Sequence, residues 1–357
     1  MVDEGSEPIP AMRRIMLRVE DATDRVMASW RGMRNATRPT TVVPYAGYQH
    51  PSGLDVRGRV MEETVPWSPL ETDSRLANIR GVGRLFATRE IAHQRVTIRF
   101  AGAEHTLLSD EEGYLSATLE GGEMPEHTRW DEAETFVDGE PSASLPILRV
   151  GRSARFGIIS DIDDTVMQTG AENLARNLWT TFTGNALSRM VYRHVPELYN
   201  GLVRHDGRAT NPLFYLSSSP WNLYSLIHDV ATGNGVPWGP IFLRDFGIDR
   251  NKFIKSTHGQ HKLGNAQRLL DQFDGLPFIL IGDLGQHDAE IYARLVRDNP
   301  GRIIGVIVHQ PSDRSHDAKR RHVEEIERAG VPTLLTRDYA DAIELAKREG
   351  WYEPPSV

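Results

Sequence analysis

The sequence contains no cysteine. Disulfide bonds, thiolate nucleophiles and zinc or iron–sulfur sites with cysteine ligands are therefore excluded. A chain without cysteine fits the reducing cytoplasm. We predict a cytoplasmic protein, either free in solution or in peripheral contact with a membrane.

Long apolar runs and a surplus of basic charge are also missing. No run approaches the ~20 residues that a membrane-spanning helix needs, and the acidic, polar residues 1–10 do not look like a signal peptide. The chain has 41 Lys and Arg against 49 Asp and Glu, a formal net charge of −8. Because nucleic-acid-binding proteins usually carry a basic surface, we predict no nucleic-acid partner.

The 357 residues are enough for about two domains of ~150 residues each. The sequence pattern changes twice, and we predict an amphipathic helix in residues 1–38, a β-sandwich-like domain in residues 39–152 and an α/β domain in residues 153–357. Apolar residues of the first part recur every three or four positions: Met12, Ile15, Val19, Ala22, Val26 and Trp30. Arginines surround this stripe, which fits either a helix on an anionic membrane or a helix packed on the neighbouring domain.

The second part consists of short segments in which apolar and polar residues alternate. Residues 54–60 and 96–100 follow this pattern, and residues 110–113 read as a turn. Several short alternating strands separated by turns predict a β-sandwich. No catalytic group of residues stands out there, so we expect a packing or recruitment role, with a protein partner that the sequence does not identify.

In the third part, buried strands alternate with helices, which predicts a parallel sheet. The predicted strands are Phe156–Ser160, Leu213–Leu216, Pro240–Leu243, Phe278–Ile281, Ile303–Val308 and, as an optional sixth, Pro332–Leu335. The predicted helices lie near residues 171–204, 220–231, 261–273, 287–298, 314–329 and 339–349.

An apolar run from Phe156 ends abruptly in three carboxylates and a hydroxyl, Asp161, Asp163, Asp164 and Thr165. Ligands of open α/β sheets bind beyond the carboxyl ends of the strands. Crowded carboxylates repel each other unless a cation joins them, and Mg²⁺ prefers such oxygen ligands. The alternative is structural, with Asp163 or Asp164 capping a helix.

Polar residues follow other predicted strands too. Ser217 and Ser218 come at a strand-to-helix junction, where hydroxyls and free N–H groups can hold a phosphate. Lys262 opens a predicted helix, where its charge opposes the helix dipole and calls for an anion nearby. Asp283 ends a buried strand, and Asp288 starts the next helix. Taken one at a time, the serines also fit a turn, Lys262 also fits a solvated surface charge, and Asp288 also fits a helix cap.

Together these motifs resemble those of the haloacid dehalogenase-like phosphohydrolases, in the same order along the chain. The segments Asp161–Thr165, Phe214–Leu223, Leu243–Asp245 and Phe278–Tyr292 narrow the resemblance to the actin-patch phosphatidate phosphatase family. The resemblance implies a catalytic domain over residues 155–310. It also implies a Rossmann-like parallel sheet of strand order 5-4-1-2-3 with helices on both faces, preceded by the sandwich.

The resemblance further implies a Mg²⁺-dependent phosphatase that forms an aspartyl-phosphate. Asp161 would be the nucleophile and Asp163 the general acid and base. Mg²⁺ would be held by Asp161, Asp163 through its carbonyl, and Asp283, with Asp288 orienting the metal shell. Ser217, Ser218 and Lys262 would bind the phosphate. Arg244 fits either a head-group contact or a surface salt bridge.

Three functions stay open at this point. The chain is a phosphatidate phosphatase acting on a phospholipid at membranes, a phosphatase of a soluble phosphomonoester, or an adaptor without catalysis. Residues 170–200 fit equally a small cap over the site and a helix packed on the sheet.

Overall fold

The computed structural model of the protein describes residues 40–62, 91–168, 190–244, 258–310 and 317–354. They belong to one compact unit, Thr40–Val357. The predicted helix in residues 1–38 and residues 170–189 of the predicted cap lie outside the described residues. None of the described helices is long and apolar enough to cross a bilayer.

The part before the acidic segment folds as strands. They are β1 (Thr40–His50), β2 (Gly53–Glu62), β3 (Arg95–Phe100), β4 (Ala103–Leu108), β5 (Tyr114–Leu119), β6 (Arg129–Val137), β7 (Glu140–Pro141) and β8 (Leu145–Arg149).

These eight strands form one mixed sheet, in the order β4-β3-β6-β8-β1-β2-β5, with β7 paired to β6. Its pairs are antiparallel except for β1 and β8, which run parallel. The edge strands β4 and β5 follow each other in the chain through the turn at residues 109–113, so the sheet curls back on itself. One core, with Val56, Ile98 and Ile147 among its fully buried members, fills the inside of this curl.

The second sheet has six strands. They are β9 (Gly157–Asp161), β12 (Leu213–Pro220), β13 (Ile241–Arg244), β14 (Phe278–Asp283), β15 (Ile303–His309) and β16 (Thr333–Thr336). Their order is β13-β12-β9-β14-β15-β16, and each pair is parallel. Two short strands, β10 (Arg204–His205) and β11 (Arg208–Ala209), pair separately with each other.

Six helices lie in the described residues. They are α1 (Val195–Val203), α2 (Tyr224–Gly233), α3 (His258–Gln272), α4 (Asp288–Asp298), α5 (Asp317–Arg328) and α6 (Tyr339–Arg348). A single 3₁₀ turn, Trp221–Leu223, joins β12 to α2.

The predicted fold class is wrong for the chain as a whole. The larger sheet is mixed, mostly antiparallel and curled, so it is neither a two-sheet sandwich nor part of a Rossmann-like parallel architecture of order 5-4-1-2-3. The alternation of apolar residues shows which face of a strand is buried, but two stacked sheets and one curled sheet bury the same residues. Pairing between distant strands, such as β1 with β8, leaves no trace in that pattern.

The helix predicted over residues 171–204 is confirmed for Val195–Val203 and wrong for residues 190–194. Residues 190–194 are not helical, and α1 begins only at Val195, after His194 adopts a left-handed backbone with φ 66°. Pro196 lies in the first turn, where its missing N–H costs nothing. The apolar spacing continued through this break, which is why the periodicity alone predicted one long helix.

Residues of the curled sheet also belong to the two apolar clusters of the parallel sheet. Tyr45 of β1 belongs to the apolar cluster that contains Ile158 of β9, while Tyr48 belongs to the cluster that contains Ile159. The backbone N–H of Ala46 in β1 donates to the Tyr224 hydroxyl of α2 at 2.9 Å. Strand β1 is therefore packed directly against the strands and helices that carry the predicted site.

Candidate active site

Most of the predicted site residues lie in the carboxyl-terminal parts of neighbouring strands of the parallel sheet: Asp161 ends β9, Asp283 ends β14, and Ser217 and Ser218 lie in the second half of β12. Strand β9 lies between β12 and β14, with Leu216 beside Asp161 and Ile281 beside Ser160. Parallel strands bring their carboxyl ends to one edge of a sheet. The side chains at the ends of these three central strands therefore face one crevice.

Three carboxylates meet at this edge. Oxygen atoms of Asp161, Asp283 and Asp288 all lie within 4.8 Å of one another, and all three residues are buried. Asp288 begins α4, and its Oδ2 accepts the backbone N–H of Asp283 at 3.2 Å. The close approach depends on Gly282, because a Cβ there would lie 2.7 Å from the Asp288 Oδ2.

One cation, Lys262, lies among these carboxylates. Its Nζ is 2.6 Å from Asp161 Oδ1 and 2.7 Å from Asp288 Oδ1, and the side chain is buried. Helix α3 begins at His258, so Lys262 lies in its second turn rather than at its start as predicted. Burial lowers the pKa of Lys262, but the charges of Asp161 and Asp288 raise it more, so the ammonium stays charged.

The acidic cluster is not neutralised by that one cation. Burial and the nearby Asp288 charge raise the pKa of Asp161 well above its ordinary value, and the same two causes raise the pKa of Asp283. The Oδ2 atom of Asp283 is buried and has no hydrogen-bond partner in the described residues. A hard divalent cation with oxygen ligands fits this donor set, and Mg²⁺ is such an ion.

The segment after Asp161 is a turn, not a helix. Asp164 adopts a left-handed backbone with φ 59°, and its N–H donates to the Met167 carbonyl at 2.8 Å. The Thr165 hydroxyl turns back and donates to Asp161 Oδ2 at 3.0 Å. The alternative in which Asp163 or Asp164 caps a helix is therefore wrong for the described residues.

Asp163 points to a different set of partners from Asp161. Its Oδ2 accepts the Ser217 hydroxyl at 2.6 Å, and the Ser219 hydroxyl lies 3.2 Å from each of its carboxylate oxygens. Burial raises the pKa of Asp163, although the two serine hydrogen bonds and the Lys262 charge lower it in part. Its carboxylate is not part of the three-carboxylate cluster, so only the Asp163 carbonyl remains available as the predicted metal ligand.

Two residues that the sequence analysis missed connect these groups. Ser219 shares Asp163 with Ser217, and its backbone N–H donates to the Ser217 hydroxyl at 2.9 Å. Gln286 donates through Nε2 to the Asp163 carbonyl at 3.1 Å, while its N–H donates to Asp283 Oδ1 at 2.8 Å. The sequence offered one signal for Gln286: it is a polar residue in the strand-to-helix loop between Asp283 and Asp288.

The two remaining predicted residues are less central. Ser218 is half-buried between the two serines that hold Asp163. Arg244 is half-buried at the end of β13, whose register places it beside Pro220. The structure therefore puts Arg244 at the edge of the crevice rather than among the carboxylates.

The part of the chain that forms this crevice is similar to a known family. Residues 156–310 match the family model described as "Phosphatidate phosphatase APP1, catalytic domain". The predicted family resemblance is confirmed for these residues. Asp161, Asp163, Ser217, Lys262 and Asp283 all lie within the matched range.

Two curated relatives match a similar stretch. The chain is 31% identical over 170 residues to Phosphatidate phosphatase APP1 of Saccharomyces cerevisiae, covering 48% of this chain and 28% of that protein. It is 29% identical over 153 residues to an uncharacterized protein of Schizosaccharomyces pombe, covering 42% of this chain and 24% of that protein. The match thus spans only about a quarter of each relative's length.

The similarity of the chain to a solved structure is too weak to support a conclusion. A carbohydrate acetylesterase from Xanthomonas citri aligns with a TM-score of 0.31 and 10% identity, covering 84% of this chain and 69% of that chain. A likeness at this level supports no conclusion about fold or function.

Proposed function

We propose that the chain is a Mg²⁺-dependent phosphomonoester hydrolase that converts phosphatidate to diacylglycerol and phosphate. The observation that carries this proposal is the buried cluster of Asp161, Asp283 and Asp288 around Lys262, inside the range that matches the phosphatidate phosphatase catalytic domain. Buried carboxylates that share a site with so little positive charge are typical of catalytic or metal-binding centres.

The metal would be held by carboxylates of Asp161, Asp283 and Asp288 together with the Asp163 carbonyl. When bound, Mg²⁺ would neutralise charge on the phosphoryl oxygens. The unpartnered Oδ2 of Asp283 supports this assignment, because a buried carboxylate oxygen without a donor is costly unless a cation binds it.

The reaction would proceed in two steps through Asp161. In the first, a carboxylate oxygen of Asp161 bonds to phosphorus while the ester P–O bond breaks, and Asp163 gives its proton to the departing oxygen. In the second, Asp163 takes a proton from water as the water attacks phosphorus, which releases phosphate and restores Asp161. The raised pKa of Asp163, caused by burial, supports its role as the acid of the first step.

The phosphate oxygens would be bound by Lys262 and by the backbone N–H of Ser218. The Ser217 hydroxyl donates to Asp163, so we assign Ser217 to holding the acid in place rather than to the phosphate. Preorganised donors of this kind stabilise the charge of a phosphoryl transition state.

The proposal is tested by the substrate that the protein hydrolyses. We expect phosphate release from dispersed phosphatidate that stops when Mg²⁺ is chelated and returns when it is restored. Turnover of water-soluble phosphomonoesters alone would favour a soluble phosphatase. Inactivity towards all phosphoesters, with Mg²⁺ bound, would favour a non-catalytic adaptor.

A lipid substrate also requires contact with a membrane surface. We propose that this contact is peripheral, and we expect the protein to sediment with vesicles that contain phosphatidate. Equal sedimentation with vesicles of neutral lipid and with phosphatidate vesicles would show that the substrate does not direct the contact.

A further inference from the structure

The turn after β9 carries three consecutive backbone carbonyls that accept hydrogen bonds from side chains far along the chain. The donors come from three separate elements: the loop between β14 and α4, the last residue of β15 and the first residue of α6. We call the three donors the carbonyl clamp and define it as Gln286, His309 and Tyr339. His309 and Tyr339 take no part in the steps proposed above.

The first and third carbonyls of the turn, those of Asp163 and Thr165, bind an amide and a hydroxyl. Gln286 donates through Nε2 to the Asp163 carbonyl at 3.1 Å. The Tyr339 hydroxyl donates to the Thr165 carbonyl at 2.8 Å. Burial raises the pKa of Tyr339 well above its ordinary value, so the hydroxyl keeps its proton and stays a donor.

The middle carbonyl, that of Asp164, lies 3.0 Å from Nδ1 of His309. Because a carbonyl oxygen can only accept, the N–H of this hydrogen bond belongs to Nδ1. The His309 ring is buried and stacks on the Tyr339 ring, with 4.9 Å between the ring centroids and 28° between the planes. These two donors are thus packed against each other and support the turn together.

The turn needs these donors because it is not helical. Asp164 has a left-handed backbone with φ 59°, and residues 162–168 contain no helix. The three carbonyls therefore lack the partners that a helix would supply, and a carbonyl removed from water without a donor is costly. The clamp gives each of them one donor.

The same turn holds Asp161, the proposed nucleophile. The Thr165 hydroxyl donates to Asp161 Oδ2 at 3.0 Å, and Lys262 Nζ lies 2.6 Å from Oδ1. Both oxygens of the carboxylate are therefore held, one of them by the residue whose carbonyl binds Tyr339. A continuous chain of hydrogen bonds runs from Tyr339 through Thr165 to Asp161.

Tyr339 is itself held in place at the start of α6. The Asp338 side chain caps this helix by accepting the backbone N–H of Ala340 at 2.9 Å, and Tyr339 is only 1% exposed. This position lies beyond residues 156–310, the range that matches the phosphatidate phosphatase family. A part of the chain outside the family match therefore contacts the turn that carries the site.

We propose that the carbonyl clamp positions the reacting carboxylates, and that Tyr339 orients the nucleophile Asp161 through Thr165. The inference rests on the proposed function and adds positioning residues to the same site. An attacking carboxylate must be placed to within about 0.5 Å, so the loss of one clamp hydrogen bond should slow the reaction without unfolding the chain. Gln286 acts in the same way on Asp163, whose carbonyl it binds.

The kinetic test removes one hydroxyl and keeps the ring that carries it. Tyr339→Phe should lower kcat for dispersed phosphatidate about tenfold with KM nearly unchanged, the effect of one hydrogen bond that acts on the reacting group. Tyr215→Phe is the matched control, because it removes a hydroxyl bond of 2.8 Å to the Pro237 carbonyl in the loop that leads into β13. It should lower the thermal midpoint as much as Tyr339→Phe does and leave kcat unchanged.

A second kinetic test asks whether Tyr339 acts through Thr165. Thr165→Val removes the hydroxyl that holds Asp161, so adding Tyr339→Phe to this variant should lower kcat much less than tenfold. Fully additive losses would overturn the assignment of Tyr339 to the orientation of Asp161. His309→Asn keeps an N–H donor near the position of Nδ1 and should retain more of kcat than His309→Leu, whereas equal losses would show that only the ring packing matters.

A binding arm separates this inference from the proposed hydrolysis. Mg²⁺ alone is titrated calorimetrically into the wild type, Tyr339→Phe and Tyr215→Phe, and only Tyr339→Phe should weaken its affinity, because Asp161 is a proposed ligand. If the wild type hydrolyses no phosphoester but Tyr339→Phe still weakens Mg²⁺ binding, the clamp stands and the proposed function fails. If the wild type hydrolyses phosphatidate and Tyr339→Phe changes kcat and Mg²⁺ affinity no more than Tyr215→Phe, the clamp is overturned and the proposed function stands.

Discussion

Two buried aspartates of this protein, Asp55 and Asp161, have opposite surroundings. Asp55 accepts hydrogen bonds from Thr118 at 2.5 Å, from Arg268 at 2.8 Å and from Gln272 at 3.0 Å. Burial alone would raise the pKa of Asp55, but hydrogen bonds from His50, Thr118 and other donors lower it below the ordinary range. Asp55 is therefore an ionised carboxylate whose partners are complete within the fold.

Asp161 is just as buried but lacks such a set of partners. It shares the single Lys262 ammonium with Asp288, and burial together with the Asp288 charge raises its pKa. The number of hydrogen-bonding partners and the direction of the pKa shift thus distinguish a carboxylate available for chemistry from one that only stabilises the fold. Asp55 holds β2 to α3, whereas Asp161 belongs to a cluster of three carboxylates that shares one ammonium group, Lys262, among the described residues.

The largest expected effect is a loss of catalytic activity on substitution of Asp161, which substitution of Asp55 should not cause. Asp161→Asn removes the proposed nucleophile and should reduce kcat by about 10⁴-fold or more, as for other essential nucleophiles. The thermal midpoint should stay the same or rise, because one of three crowded carboxylates becomes neutral. The check is phosphate release alongside thermal unfolding. Normal turnover by Asp161→Asn would show that another group attacks phosphorus.

The matching change at Asp55 should act on stability instead. Asp55→Asn removes the charge that the half-exposed Arg268 pairs with and should lower the free energy of unfolding by about 2 kcal/mol, the effect of weakening a charged hydrogen bond. Chemical denaturation measures this loss. The kcat of the folded fraction should stay within a factor of a few. A large loss of kcat without loss of stability would show that Asp55 acts in the reaction rather than in stabilising the fold.

The stability of the protein should depend on pH differently with and without bound metal. The pKa values of Asp161 and Asp283 are raised in the metal-free protein, so their protonated forms favour folding. That contribution is complete below the unfolded value of ~3.9 and is lost as pH rises through the raised values. The metal-free protein should therefore gain stability in mildly acidic solution relative to neutral solution.

Mg²⁺ should reverse this loss if it binds the ionised carboxylates as proposed, since metal ligands must be deprotonated. At about 100 times its dissociation constant, the ion should add about 2.7 kcal/mol near neutral pH and much less in acid. Thermal unfolding at several pH values, with Mg²⁺ and with chelator, measures the difference. Asp283→Asn should abolish the metal-dependent part, and a Mg²⁺ effect that persists in this variant would place the ion elsewhere.

The proximity of the site residues could be predicted because it follows from parallel strands. Asp161 and Asp283 each end a strand, Ser217 lies in the second half of a third strand of the same sheet, and the carboxyl ends of these strands meet at one edge. Lys262 could be suspected because its charge has no local reason to lie near a helix start. Their roles in catalysis and metal binding stay predictions.

The curled sheet and the surroundings of Arg57 could not be predicted from the pattern of apolar and polar residues. The curled sheet depends on pairing between segments about a hundred residues apart, such as Thr40–His50 with Leu145–Arg149. Arg57 lies among ordinary alternating strand residues, and only the fold brings its guanidinium carbon to 3.8 Å from the centre of the Phe242 ring of β13. Long-range packing of this kind is fixed by three-dimensional complementarity, which a linear apolar pattern does not record.

The smallest expected effect concerns the second carboxylate of the site, Asp163. Ser219→Ala removes one of the two hydroxyls that donate to it but keeps the shorter bond from Ser217. We expect kcat to fall about tenfold, the effect of one charged hydrogen bond. The exposed Ser225→Ala on α2 is the matched control and should leave kcat unchanged.

The same variant should also move the pH profile in a defined direction. The Ser219 hydrogen bond lowers the pKa of Asp163, so its removal should raise that pKa and keep the acid protonated to higher pH. If Asp163 protonates the leaving oxygen, the alkaline fall of kcat should shift upwards in Ser219→Ala. A profile that keeps its midpoint while kcat falls would mean that Ser219 positions another group, and that Asp163 is not the acid whose ionisation limits the rate.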